Sequence, residues 1–143
     1  MKYTRRAFLA TGTAMAFGLV HAADQEESLP PPDAYRRKIE GDVFICSMTM
    51  RLVILRGNDE DQEKYSQCVK AARTDGKRYF EAALKMTRKA KAKEALKSYH
   101  VAFLAALDAT GPRAGDTEYT YEARRNGMND KLAEAWARFE VER

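Results

Sequence analysis

Proline and cysteine are scarce in this chain, and each scarcity excludes something. After the run Pro30–Pro32 the only proline is Pro112. Long helices are therefore permitted from Asp33 onward, because nothing there strips a donor from a helix interior. The only cysteines are Cys46 and Cys68. Covalent haem through Cys-x-x-Cys-His is excluded, and a metal site built on cysteine pairs is disfavoured. Histidine is as rare, with His21 and His100 alone. A di-iron bundle, which repeats Glu-x-x-His, is disfavoured with it. No glycine-rich phosphate loop and no Gly-x-Ser-x-Gly elbow occurs. No carboxylate pair asks for acid–base work: Asp59-Glu60-Asp61 is explained by the positive end of a helix dipole. We therefore expect no metal, no cofactor and no catalytic residues.

Long hydrophobic runs are absent too. The apolar stretch Ala7–Val20 carries no charge and has fourteen residues, short of the ~20 a membrane span needs. Lys2, Arg5 and Arg6 precede it, and Val20-His21-Ala22 follows with small residues at the two positions a signal peptidase reads. Residues 1–22 thus read as a cleaved export signal. Within it, Arg5, Arg6, Phe8 and Leu9 resemble a twin-arginine address, although Ala10 stands where that pattern often has lysine. Ordinary Sec export is the alternative. The expected location is the periplasm or the medium, with membrane contact only during export.

The leader carries three cations and no acid, out of 25 cations and 21 acids in the whole chain. Its removal leaves 22 against 21, a net charge of +1. The basic character belongs largely to the leader, so net charge points to no nucleic-acid partner.

Residues 23–32 (ADQEESLPPP) read as a polar, proline-ended tether. Residues 33–143 read as one all-α domain, a small antiparallel helical bundle, since strand alternation is missing. Helix one is expected over 33–56, with Tyr35, Ile39, Phe44, Cys46, Met50, Val53 and Leu55 on a broad apolar side. Gly57 suits the left-handed end of that helix, and Asn58 the cap of the next. The second stripe runs Tyr65, Val69, Ala72, Gly76, Tyr79, Ala83, Met86, Ala90. It passes Gly76 without changing phase, so Gly76 reads as a close-packing point. A new phase begins with Leu96, His100, Phe103 and Leu107. A break near 88–93 is expected, with one long bent helix over 59–109 as the alternative. Thr110-Gly111-Pro112 ends this region. The last helix starts near Asp116 or Thr117, with Met128, Leu132, Trp136 and Phe139 inward and a candidate interruption at Asn126-Gly127.

Cys46 lies eleven residues before Gly57 and Cys68 eleven after it. Antiparallel helices joined at Gly57 place both at one height, ~16 Å from the turn. A disulfide between them is expected, linking a helical hairpin. His100 sits on an apolar stripe and reads as a half-buried structural histidine rather than a general base.

The most uneven surface feature is cationic. Lys85, Arg88, Lys89, Lys91, Lys93 and Lys97 fall close together, with Glu94 the only acid among them. One reading is a solvated face near a helix C-terminus. The other is a docking surface for an acidic partner. Tyr119 and Tyr121 form a second candidate contact, if both are exposed.

The stretch Leu96-Lys97-Ser98-Tyr99-His100-Val101-Ala102-Phe103-Leu104, with Asp108 beyond and Cys68, Asp75 and Tyr79 upstream, resembles the LprI-type lysozyme-inhibitor family. His100-Val101-Ala102-Phe103 replaces that family's Gln-Arg-x-Trp centre, and no cysteine follows Asp108. The resemblance implies a small exported helical protein with disulfides. The leading expectation is a non-catalytic periplasmic binding, inhibitor or accessory factor whose partner is an envelope or periplasmic protein. An accessory enzyme or redox subunit exported folded is one alternative, and an envelope-associated structural protein is another.

Overall fold

A computed structural model gives the fold, and it describes residues 29–143. The expected export signal, with Arg5, Arg6, Phe8 and Leu9, lies outside the described residues, as do residues 23–28 of the expected tether. Four helices follow in order: α1 (Pro31–Arg56), α2 (Asp59–Met86), α3 (Ala90–Asp108) and α4 (Glu118–Glu142). They run alternately up and down, and no strand occurs among the described residues. The protein is a small all-α antiparallel bundle of two helical hairpins.

Helix α1 begins two residues earlier than the tether boundary implied. Pro31 and Pro32 occupy its first turn, where a fixed φ suits the helix and a missing N–H goes unnoticed. Gly57 ends it in the left-handed conformation, φ 63°, its N–H donating to Val53 O at 2.8 Å. Asn58 then caps α2, its side-chain oxygen accepting from Asp61 N at 2.7 Å.

The bridge expected from the spacing is present. Cys46 and Cys68 are disulfide-bonded, with their Cα atoms 5.6 Å apart. Gly76 is a contact point and not a break. A Cβ built on it stands 2.5 Å from Cε1 of Phe103 on α3, so α2 and α3 meet closely there. Asn126-Gly127 leaves α4 continuous.

Helices α2 and α3 are separate, and the break falls at 87–89, at the early edge of the expected window. No glycine or proline makes it. Thr87 leaves the helix in extended conformation and turns both its N–H and its hydroxyl onto Ala83 O, at 3.0 and 2.9 Å. The same hydroxyl bond occurs inside continuous helix at Thr49 and Thr74, at 3.0 Å in each, so it accompanies the break without making it.

The core gathers Tyr35, Ile39 and Cys46 of α1, Ala72 and Ala83 of α2, Leu96, Tyr99, Phe103 and Leu107 of α3, and Trp136 and Phe139 of α4. Its aromatic rings form a chain of tilted and edge-on contacts. Tyr35 meets Tyr99 at 5.7 Å, Tyr99 meets Trp136 at 5.0 Å, and Trp136 meets Phe139 at 5.0 Å. Such pairs add ~1 kcal/mol each beyond their buried area.

Two inward assignments on α1 are corrected. Phe44 and Leu55 are exposed, while Val43 and Ser47 are buried. Helix α1 is apolar on nearly all sides between Phe44 and Leu55, so periodicity alone cannot pick its inner face. Met86 and Ala90 also leave the expected stripe for solvent, because α2 ends at Met86.

Candidate functional site

The break between α2 and α3 brings the cationic residues to one end of the bundle. Lys85 sits in the last turn of α2, where a cation complements the carbonyl end of the dipole. Arg88 and Lys89 form the connection. Lys91 and Lys93 lie at the start of α3, the positive end of its dipole. That first turn contains no acid, and Lys89 at the cap position supplies no side-chain acceptor. The free N–H groups of α3 therefore point the same way as a cluster of cations.

Two depressions divide these residues. The first, of about 330 Å³, has an apolar floor of Pro31, Met86, Ala92 and Phe139, with Arg88, Lys89 and Arg143 at its rim. The second, of about 460 Å³, is lined by Lys91, Lys93 and Lys97 together with Glu94 and Glu142. Lys97 pairs with Glu94 at 2.7 Å, and Lys89 donates to Arg143 O at 2.8 Å. Arg143 in turn reaches Asp33 at 2.9 Å. Lys85, Arg88, Lys91 and Lys93 have no ion pair among the described residues. Lys85 lines neither depression.

The two tyrosines part company. Tyr119 is 82 % exposed, whereas Tyr121 is 4 % exposed and donates its hydroxyl to Thr110 O at 2.8 Å. Burial raises the Tyr121 phenol above its ordinary pKa. Tyr121 is a core residue of the α3–α4 junction, so the pair is not a joint contact surface. Thr110 is fully buried there, and its hydroxyl also meets Tyr65 Oη at 3.0 Å.

His100 is half-buried, stacked on Phe80 at 4.3 Å, with Nδ1 2.6 Å from Tyr35 Oη. Desolvation lowers its pKa and raises that of Tyr35. Both groups are thereby kept neutral, which fits a structural role. No group of three or more His, Cys, Asp or Glu side chains able to hold a metal occurs among the described residues.

One surface escaped the sequence reading. Phe44, Ile45, Met48, Leu52 and Leu55 form an exposed apolar face on the outside of α1, opposite Ile39, Cys46 and Met50. The available signal was the apolar character of α1 on both sides. Beside this face, Arg51, Ile54, Leu55, Pro112 and Tyr121 line a cavity of about 580 Å³.

These features define a disulfide-linked, all-α bundle with a cationic end and an apolar flank. No protein-family model, no curated protein and no solved structure matches the chain. No described helix is long and apolar enough to cross a membrane.

Proposed function

We propose that this is an exported, non-catalytic binding protein, and that the end of the bundle around the α2–α3 break receives an acidic partner. The observation that carries this reading is the start of α3. Helices favour acids in the first turn, each misplaced cation there costing about 0.3–1 kcal/mol. This helix has Lys91 and Lys93 instead, and no side-chain cap. A bound carboxylate would satisfy the free N–H groups and the lysines together. The adjoining apolar floor, with Met86 62 % exposed, suits a hydrophobic residue next to that carboxylate.

Export through residues 1–22 belongs to this reading. The Cys46–Cys68 bridge supports it, because such bridges persist in oxidising compartments. Replacing Arg5 and Arg6 by lysine should hold the chain in the cytoplasm if the address is twin-arginine, and should leave export intact if it is Sec. The resemblance to the LprI-type family adds lysozyme as one partner to assay.

The test uses polyglutamate and an acidic peptide with one phenylalanine. Both should bind, more weakly as salt rises, and K89E/K91E/K93E should abolish binding while the circular dichroism stays unchanged. Equal binding by the triple variant overturns the proposal.

A further inference from the structure

Helix α2 carries a charge imbalance that the cationic end alone does not account for. Ten cations and two acids, Asp75 and Glu81, fall between Lys64 and Lys93, whereas the residues from Glu94 onward carry seven cations and nine acids. Three of the ten cations are already engaged: Lys64 with Glu60, Arg73 with Asp108 and Arg78 with Asp75. Lys70, Lys77, Lys85 and Arg88 are exposed and have no ion pair among the described residues.

Helical spacing puts most of these free cations in one line. Lys70, Thr74, Lys77, Glu81 and Lys85 follow one another at intervals of four, three, four and four residues, which keeps them on one side of the helix. Ala72, Gly76 and Ala83, the inward residues, are out of phase with that side. From Lys70 to Lys85 the line is ~22 Å long at 1.5 Å per residue. It ends at the connection that holds Arg88, beside the start of α3. The helix dipole favours cations only within the last turn. Lys70 and Lys77 stand well before that turn, which closes at Met86, so the dipole does not explain them.

The chemistry of this face selects the partner. Met86, at its very end, is the one large hydrophobic residue exposed on α2. A helix that lies on a membrane buries an apolar face beside its cations, and α2 turns its apolar face to the core instead. A row of unpaired charges, one helix wide and without apolar anchors, is complementary to a chain whose own charges repeat along its length. An extended polypeptide spans ~22 Å with about seven residues.

Resting on the acidic-partner reading of the cationic end, we propose that the partner is an extended run of Asp and Glu that continues past the α2–α3 break along the outer face of α2, meeting Lys85, Lys77 and Lys70 in turn. Glu81 is the one unfavourable point on that path.

Polyglutamate chains of two lengths, triglutamate and a chain of about fifteen residues, separate this inference from the reading it rests on. The long chain should bind about 10-fold or more tighter, and K70E/K77E should remove that gain while sparing triglutamate. Circular dichroism should hold, since both lysines are exposed and unpaired. E81Q should tighten the long chain by about 3-fold. R37E/K131E makes the same change of net charge at exposed positions on α1 and α4, and should leave the long chain unaffected. Equal binding of the long chain by K70E/K77E overturns the inference and leaves the reading of the cationic end standing. An equal loss in R37E/K131E overturns the placement along α2. Failure of both chains to bind overturns both readings. Where K70E/K77E spares the long chain but releases the protein from phosphatidylglycerol vesicles, the face belongs to lipid instead.

Discussion

Gly76 and Phe103 compete for one volume. The ring of Phe103 lies where a Cβ on residue 76 would sit, 2.5 Å from its Cε1. Phe103 is itself fully buried, so it has nowhere to retreat. Gly76→Ala should destabilise the bundle by about 1–3 kcal/mol, the usual cost of overpacking a core. Adding Phe103→Leu should recover part of that loss. Urea unfolding of both single variants and the double variant checks this, and simple additivity would argue against the contact.

Lys89 is the best place to set stability against binding. It holds the extended conformation of an N-cap yet offers no acceptor. Lys89→Asp should stabilise the fold by about 1 kcal/mol through a new cap and a favourable dipole. The same change should weaken polyglutamate binding. Opposite movement of melting temperature and affinity is the expected signature of a helix start kept poor for function.

Tyr119 and Tyr121 should behave as unlike residues. Tyr121→Phe removes a hydroxyl from buried Thr110 O and should cost about 1–2 kcal/mol, because that carbonyl loses its partner. Tyr119→Ala should change stability by less than about 0.5 kcal/mol. Thermal melts of the two variants measure the contrast.

His100 should make the fold sensitive to mild acid. Its native pKa lies below the ordinary histidine value because of burial. The unfolded chain therefore binds its proton more readily than the folded one. Stability should fall as pH drops below about 6.5, and the loss should level off once the native histidine titrates too. His100 is the one histidine after residue 22. In His100→Asn the slope between about pH 6.5 and 5 should flatten, which urea unfolding at several pH values will measure.

The parts of this fold that were legible in the sequence share one property: a local signal with one interpretation. Gly57 is such a signal, and counting outward from it in both directions located the Cys46–Cys68 pair. Gly76 kept the phase of its stripe and so announced close packing. Phe44 and Leu55 were misplaced for the opposite reason. A helix apolar on two opposing sides has no single moment, and only the packed neighbours decide which side is inner. The break at Thr87 was blurred because no glycine or proline marks it. Tyr121 and Tyr119 look alike on paper; the buried carbonyl of Thr110, which separates them, arrives from the end of another helix. The six cations were visible as a cluster, but their meaning turned on where α3 begins.

The disulfide has a mechanical consequence. It fastens α1 to α2 at mid-length, while α3 and α4 share no covalent tie with them or with each other apart from the chain. The first hairpin is a braced strut, and the second is a leaf leaned against it. When the molecule breathes, the leaf should lift first and the strut keep its alignment. The outer side of α1 is thus displayed by the stiffest member of the fold, in one fixed orientation, even when the far half of the bundle is open.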